Sequence, residues 1–196
     1  MRMKISEVKF LKSMTSYEKE ANPLHRDRSK EKILFLWRSN VWKSSTINSL
    51  LWVKELAYSW AKAWKTRTIN VFEVNKKFEC MDFPGYWFAV WWLENKLKLR
   101  DMVLDYLQSC EGDLLKIVLI MDADVWPTKL DDEIFRYVYD RGFPIYILLN
   151  KADKPKKMQL ESNINKVEIM FPEIPYMLYS CKTHEYRPQA LELLFK

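Results

Sequence analysis

Three short stretches of the chain combine residue types that can bind phosphate, magnesium and a purine base. The first, residues 37–44, has the spacing of a phosphate-binding loop, G-x-x-x-x-G-K-[ST], but carries tryptophan at both glycine positions. In such a loop the lysine reaches the β- and γ-phosphates, and the hydroxyl that follows it ligates Mg²⁺. The predicted phosphate-binding residues of this stretch are Trp37, Arg38, Ser39, Asn40, Val41, Trp42, Lys43 and Ser44.

The two tryptophans of this stretch conflict with phosphate binding. A phosphate loop wraps its backbone N–H groups around phosphate oxygens, which requires backbone angles that glycine adopts and space that a side chain would fill. Three interpretations follow. The match is a coincidence, the protein has lost the nucleotide of its ancestor, or the cell incorporates another residue where Trp37 and Trp42 are written.

The second stretch, Asp82-Phe83-Pro84-Gly85, follows a β-rich segment. The Asp82 carboxylate can hold Mg²⁺ through a water molecule, and the Gly85 N–H can bind a γ-phosphate. The alternative is an ordinary turn, because Asp, Pro and Gly all favour turns.

The third stretch, Asn150-Lys151-Ala152-Asp153, ends a buried apolar segment. A carboxylate at Asp153 can accept hydrogen bonds from the ring N–H and the exocyclic amine of guanine, a pair of donors that adenine lacks. The stem of Lys151 can lie along the base, and the predicted guanine-binding residues of this stretch are Asn150, Lys151 and Asp153. The alternative is a polar cap at the end of a strand.

The segments around these stretches predict an α/β fold. Apolar runs and β-rich segments predict strands at 33–36, 68–74, 77–81, 114–121, 144–149 and 176–179, and helical periodicity predicts helices at 43–51, 93–108, 127–139, 156–170 and 188–195. Asn75-Lys76 predicts a hairpin between the second and third strands. Residues 9–13 are either a short edge strand or a docked arm, and 54–67 is a long loop.

The order of the three stretches is that of a guanine-nucleotide switch, and each lies beyond the carboxyl end of a predicted strand, where α/β sheets bind ligands. We therefore predict a P-loop NTPase of the Ras-like G-domain type. Its expected sheet has six mostly parallel strands, one of them an antiparallel edge strand of the hairpin, with helices on both faces.

Glycine and tryptophan have unusual counts. The chain of 196 residues has 3 glycines and 9 tryptophans, whereas average usage of about 7% predicts roughly 14 glycines. The sum of the two counts is close to an ordinary glycine content. The deficit of glycine and the excess of tryptophan are therefore best interpreted as having a single cause.

Charge and cysteine content constrain the environment and the partners. The net charge of +6 favours a polyanionic partner such as RNA, although a basic surface without such a partner would look the same. Cys80, Cys110 and Cys181 lack the spacing of a metal site and predict reduced thiols in a cytoplasmic protein. Residues 1–10 contain no apolar signal core, and no apolar run is long enough to span a bilayer, so no membrane association is expected.

Across nearly its whole length the sequence resembles the EngB (YihA/YsxC) GTPases of the TrmE-Era-EngA-EngB-Septin-like superfamily. The family loop G-R-S-N-x-G-K-S-S is matched by residues 37–45 apart from the glycines, and D-x-P-G-Y-G is matched by 82–87 apart from its last glycine. The family's P-G-[KR]-T-Q corresponds to Ala63-Trp64-Lys65-Thr66-Arg67. Ser180-Cys181-Lys182 lies where the last base-contacting loop is expected, although the usual glycine is missing after it.

The resemblance implies a GTP-binding protein with slow GTP hydrolysis that acts on the precursor of the bacterial large ribosomal subunit, with rRNA and ribosomal proteins as partners and an association with cell division and septation. It implies a monomer, with an N-terminal extension at 1–30 and a G domain at 31–196. It adds Trp64, Lys65 and Thr66 to the phosphate site, and Ser180 and Cys181 to the guanine site. It also makes Thr66 a second Mg²⁺ ligand beside Ser44. Because some related GTPases bind potassium in this loop, K⁺ near Asn40 is a further hypothesis. No side chain near Tyr86 is suited to orient the attacking water, so the catalytic residue is unknown.

Tryptophan occupies four family glycine positions, 37, 42, 64 and 87, and position 126, where glycine is common. Some bacterial lineages read the UGA codon as glycine, and translation of such a gene with another codon table would produce this pattern. We hypothesise that all nine tryptophans are glycines in the cell. If they are genuine, the alternative is a nucleotide-free, basic scaffold that binds RNA or the ribosome.

Overall fold

A computed structural model describes residues 3–14, 29–37, 43–52, 69–83, 106–107, 115–125, 127 and 129–195. The strands are β1 (Val8–Met14), β2 (Glu31–Trp37), β3 (Ile69–Val74), β4 (Phe78–Asp82), β5 (Leu115–Asp122), β6 (Ile145–Asn150) and β7 (Tyr176–Leu178). The helices are α1 (Lys43–Leu51), α2 (Lys129–Tyr139), α3 (Lys157–Met170) and α4 (Arg187–Leu194). The predicted loop at 54–67, and the predicted helix at 93–108 apart from 106–107, lie outside the described residues.

The seven strands form one sheet in the order β1-β3-β4-β2-β5-β6-β7. The β4–β2, β2–β5, β5–β6 and β6–β7 pairs are parallel, and β3 is antiparallel to both of its neighbours. The predicted α/β class and the single reversed strand of the hairpin are therefore confirmed. The sheet has seven strands rather than six, because β1 adds an edge strand outside β3. Of the two alternatives for residues 9–13, the edge strand is correct.

The apolar runs that predicted the central strands are buried. Ile33, Phe35, Val118 and Leu148 are completely excluded from solvent. Strands that pair in parallel with both neighbours are covered on both faces, which explains why their sequences are continuously apolar rather than alternating. None of the described helices is long and apolar enough to cross a membrane.

The turn between β3 and β4 has the backbone that the Asn75-Lys76 pair predicted. Asn75 and Lys76 have φ of 51° and 58°, and two consecutive left-handed residues are the signature of the tight hairpin turn that matches the twist of its strands. The Asn75 side chain also binds the segment before β1. Its Oδ1 accepts hydrogen bonds from the Ser6 and Glu7 N–H groups at 2.8 and 3.1 Å, and its Nδ2 donates to the Lys4 carbonyl at 2.9 Å.

We expect Asn75→Gly to lower the free energy of unfolding by about 1 kcal/mol, because glycine keeps the left-handed backbone but removes these hydrogen bonds. The matched control is Lys76→Gly at the neighbouring left-handed position, which should change the stability by less than about 0.5 kcal/mol. Urea unfolding of both variants measures the difference. Equal effects of the two replacements would contradict the assigned role of the Asn75 side chain.

A row of charged residues runs across the four strands nearest the β1 edge of the sheet, which are β1, β3, β4 and β2. Lys9 pairs in register with Glu73, Glu73 with Glu79, and Glu79 with Lys32. Glu79 and Lys32 are buried. Two carboxylates directly opposite each other on neighbouring strands are destabilising unless a cation lies nearby. Lys30 supplies one, since its Nζ lies 2.6 Å from Glu73 Oε2 and 3.8 Å from Glu79 Oε1.

Candidate guanine-nucleotide site

The carboxyl ends of four parallel strands lie along one edge of the sheet. Trp37, the last residue of β2, pairs with Ile120 of β5, and Asp122 at the end of β5 pairs with Asn150 at the end of β6. Asp82 ends β4 on the other side of β2. The chain turns from β2 toward β3 and β4 and then crosses to β5, so the order of the strands reverses beside β2. Ligands of α/β sheets bind at such a reversal.

The helix α1 begins at this edge. Lys43 and Ser44 occupy its first turn, where backbone N–H groups without helical partners favour an anion. For Trp37, Lys43 and Ser44 the structure describes the backbone. The other predicted phosphate-binding residues, Arg38, Ser39, Asn40, Val41, Trp42, Trp64, Lys65, Thr66, Pro84 and Gly85, lie outside the described residues.

Asp82 is 1% exposed and stands in register with Phe35 of β2. The next residue, Phe83, is completely buried, and its N–H donates to the Phe35 carbonyl at 3.4 Å. The backbone therefore continues along β2 for one residue past the strand and fixes where Asp82 leaves the sheet. A carboxylate on β4 and a hydroxyl at the start of α1 are oxygen donors of the kind that Mg²⁺ takes, so the residues present fit the predicted ion.

Asn150 connects three elements by its side chain. The residue is completely buried. Its Nδ2 donates to Thr46 Oγ1 of α1 at 2.8 Å and to Cys181 Sγ at 3.6 Å, and its Oδ1 accepts from the Cys181 N–H at 3.1 Å. The predicted role of Asn150 was contact with guanine. The structure shows the amide holding α1 and the loop after β7 together.

We expect Asn150→Ala to lower the free energy of unfolding by about 2–3 kcal/mol, because it removes the buried hydrogen bonds to Thr46 and Cys181. The matched control is Asn165→Ala on the exposed surface of α3, which should cost less than about 0.5 kcal/mol. Chemical denaturation followed by circular dichroism measures both. A loss at Asn150 no larger than that of the control would show that the amide does not hold these elements together.

The predicted guanine-binding residues Asp153 and Ser180 are in direct contact. Ser180 Oγ donates to Asp153 Oδ1 at 2.5 Å and accepts from the Thr183 N–H at 3.1 Å. Ser180 is buried, whereas Asp153 is exposed. A carboxylate fixed on one side and open to solvent on the other can accept the paired donors of guanine.

Lys151 adopts a left-handed backbone, with φ of 65°, and is buried. Its Nζ lies 2.5 Å from Asp122 Oδ2, and Asp122 Oδ1 accepts from the Asp124 N–H at 3.0 Å. The ion pair joins the ends of β5 and β6, directly beside Asp153. Asp122 was not among the predicted site residues, although it stands at the end of the apolar run of β5 just as Asn150 stands at the end of β6.

The last turn of α1 contacts the loop after β7 through residues that the sequence analysis missed. Ser49 Oγ lies 2.5 Å from the Tyr179 hydroxyl and 2.7 Å from His184 Nδ1. Arg187 Nε donates to the Ser49 and Leu50 carbonyls, at 3.0 Å each. The sequence does contain one indication of these contacts: Thr46 and Ser49 are polar, lie three residues apart, and stand among the apolar residues that α1 buries.

Comparison with known proteins agrees with this geometry. The sequence model of the family described as 50S ribosome-binding GTPase matches residues 32–151. The GTP-binding protein EngB of Finegoldia magna is 36% identical over 142 residues, which cover 72% of this chain and 70% of that protein. EngB of Petrotoga mobilis is 31% identical over 195 residues, which cover 98% and 96%.

Solved structures share the fold. A crystal structure of an EngB GTP-binding protein superposes with a TM-score of 0.57 at 21% identity, covering 83% of this chain and 96% of that one. Era in complex with MgGDPNP and a segment of 16S ribosomal RNA superposes with a TM-score of 0.61 at 19% identity, covering 84% and 55%.

The strand order, the three motifs and the matching family define the class of protein: the chain is a GTPase with a P-loop G domain. Its similarity to the curated relatives is specific enough to place it further. The chain belongs to the EngB family of GTP-binding proteins. The family and the enzyme class predicted from the sequence are thereby confirmed, while the roles of individual site residues stay predictions.

Proposed function

We propose that this protein binds GTP and GDP, hydrolyses GTP slowly, and acts in assembly of the bacterial large ribosomal subunit. The observation that carries the nucleotide site is the meeting of Asp82, the first turn of α1 and the Asp153–Ser180 pair at one edge of the sheet. These groups suit the metal, the phosphates and the base in that order.

In this proposal the phosphates bind at the start of α1 with Lys43, and Ser44 and Thr66 hold Mg²⁺, which neutralises charge on the phosphate oxygens. Asp82 supports the metal through water. Asp153 accepts the guanine donors, with Ser180 and Cys181 beside it. The hydrolysis is slow because no suitable side chain near Tyr86 orients the attacking water, unless a partner or K⁺ near Asn40 assists.

The ribosomal part of the proposal is supported by the family description and by the net charge of +6, which suits rRNA. The fold also occurs in Era, which has been crystallised with ribosomal RNA. We propose further that the protein is a cytoplasmic monomer and that its link to cell division follows from ribosome assembly. The proposed division of the chain is an extension at 1–30 and a G domain at 31–196, with β1 of the extension paired to the sheet.

A second candidate function is binding to RNA or the ribosome without nucleotide binding. The written tryptophans at 37 and 42 favour it, because an indole ring at either position would fill the space that a phosphate needs. The protein would then be a basic scaffold without turnover.

The decisive experiment measures binding of fluorescent GDP, and GTP turnover with Mg²⁺ in potassium and in sodium buffer, for the parent protein and Lys43→Ala. Binding that Lys43→Ala abolishes supports the nucleotide site, and equal turnover in the two buffers removes the K⁺ hypothesis.

Co-sedimentation with large ribosomal subunits in the presence of a GTP analogue or GDP tests the proposed ribosomal partner. Ribosome binding without any GDP binding would establish the scaffold instead.

A further inference from the structure

The loop that carries the base-binding residues is folded onto itself. The His184 N–H donates to the Ser180 carbonyl at 2.8 Å, and the Ser180 N–H donates to the Glu185 carbonyl at 3.3 Å. Together with the Thr183 bond to Ser180 Oγ, these contacts make residues 180–185 one compact turn. Because these contacts join His184 to Ser180, and Ser180 to Asp153, the position of His184 is coupled to that of the Asp153 carboxylate.

His184 attaches this turn to α1 by a chain of hydroxyl groups. Tyr179 is completely buried, and burial raises the pKa of its phenol to about 12, although the hydrogen bond with Ser49 lowers it. The phenol is therefore protonated, and within the described part of the chain its polar contact is Ser49 Oγ. Buried donors are almost always paired, so Tyr179 donates to Ser49. Ser49 Oγ and His184 Nδ1 share the next hydrogen bond of this chain, at 2.7 Å.

The helix α1 links the proposed phosphate site to the Ser180 turn. Its first turn holds Lys43 and Ser44. Its last turn holds Ser49, and Arg187 fixes the carbonyls there at 3.0 Å. The backbone at His184 is left-handed, with φ of 61°, an arrangement that a non-glycine residue adopts at a cost. The side chain bond to Ser49 helps to hold the turn in that conformation.

We propose that His184 is a positioning residue for guanine recognition: by its hydrogen bond with Ser49 it holds the Ser180 turn on α1, and so sets where the Asp153 carboxylate meets the base. The inference rests on the proposed nucleotide site. It assigns specificity to a residue outside the three motifs, and it makes the last turn of α1 part of the base-binding apparatus.

The test compares affinity for GDP with affinity for inosine diphosphate, which lacks the exocyclic amine that Asp153 would accept. His184→Gly relaxes the left-handed backbone and removes the imidazole that bonds Ser49. We expect it to reduce the preference for GDP over inosine diphosphate by about fivefold, the worth of one ordinary hydrogen bond. His184→Asn tolerates the same backbone, and its side-chain amide, which has both a donor and an acceptor, can replace Nδ1 in the hydrogen bond with Ser49. It should stay within about twofold of the parent protein.

A second variant separates the hydrogen bond from the flexibility that glycine introduces. Ser49→Ala leaves the backbone of the turn unchanged, and we expect it to lower the preference as much as His184→Gly does. Ser49→Ala also removes the partner of the Tyr179 hydroxyl, and His184→Gly also removes a ring contact with Trp52. Because both variants lack the Ser49–His184 hydrogen bond, the double variant should lose less of the preference than the sum of the two single losses.

An unchanged preference in His184→Gly, or an equal loss in His184→Asn, would overturn the role of His184 and leave the proposed function intact. A parent protein that binds neither nucleotide would overturn both. Thermal unfolding of each variant provides a separate readout, since a purely structural residue would lower stability without changing the ratio of the two affinities.

Discussion

Protein with glycine at positions 37 and 42 should bind GDP at least about 100-fold more tightly than protein with tryptophan there, a difference of about 2.7 kcal/mol. Position 37 ends β2 at the edge where the strands meet, and position 42 immediately precedes the first residue of α1. In a phosphate loop of the predicted type, the backbone between these two positions wraps around the phosphate held at the start of α1. Two indole rings would occupy that volume, and they would also exclude the backbone angles of a phosphate loop.

The measurement is titration of fluorescent GDP into both forms of the protein, with Trp52→Gly alone as the matched control. Trp52 is 58% exposed and follows the other end of α1 with φ of 57°, about 13 Å along the helix from Lys43. Its replacement should not restore binding. Tight GDP binding by the tryptophan form would refute the steric argument.

The recoding hypothesis has its own test in the mass of the protein isolated from its native cells. The chain as written has a mass of 23.7 kDa, and nine replacements of tryptophan by glycine would make it distinctly lighter. The left-handed backbone of Trp52 directly after α1 favours the hypothesis, because glycine is the usual residue at that position. Nine UGG codons in the gene would end it.

Asp153→Asn should weaken GDP binding by about 100-fold and leave the weak affinity for ADP unchanged, so that the preference for guanine largely disappears. The carboxylate is charged and accepts two guanine donors, whereas an amide presents one acceptor and one donor group. The variant should in turn gain affinity for xanthosine diphosphate, because xanthine has a carbonyl oxygen in place of the guanine amine and can accept from the Asn NH₂.

The control for this prediction is Asp140→Asn, which removes the same charge from an exposed position after α2. It should change none of the affinities. Undiminished selectivity for GDP in Asp153→Asn would show that another group reads the base. A loss for all nucleotides, without gain for xanthosine diphosphate, would point to collapse of the Ser180 contact rather than to lost base recognition.

Local sequence patterns were sufficient to predict the elements that position the site. The apolar runs of β2, β5 and β6 were predicted within a few residues of their observed bounds, because strands buried on both faces require continuous apolar sequence. The hairpin was predicted from Asn75-Lys76, whose backbone preference is a property of two residues. Asp153 was predicted because a base-reading carboxylate follows a strand at a fixed spacing.

Contacts between distant parts of the chain could not be predicted in the same way. Asn150 bonds Thr46, 104 residues away, and Ser49 bonds His184, 135 residues away. Neither partner has a sequence signature, since serine, threonine and asparagine are also ordinary surface residues. The edge strand β1 remained ambiguous for a related reason. Its pairing with β3 depends on register across 54 or more intervening residues rather than on its own sequence.

The position of Lys30 bears on how short the protein can be made. Its Nζ lies between Glu73 and Glu79, the facing carboxylates of β3 and β4. A chain that began at residue 31 would retain all three nucleotide motifs, yet it would lose this counter-ion together with β1. The remaining sheet would expose the open edge of β3 and leave Glu73 of that strand without its cation, although Lys32 would still face Glu79. An open edge of this kind favours aggregation. A minimal functional fragment therefore has to include β1 and Lys30.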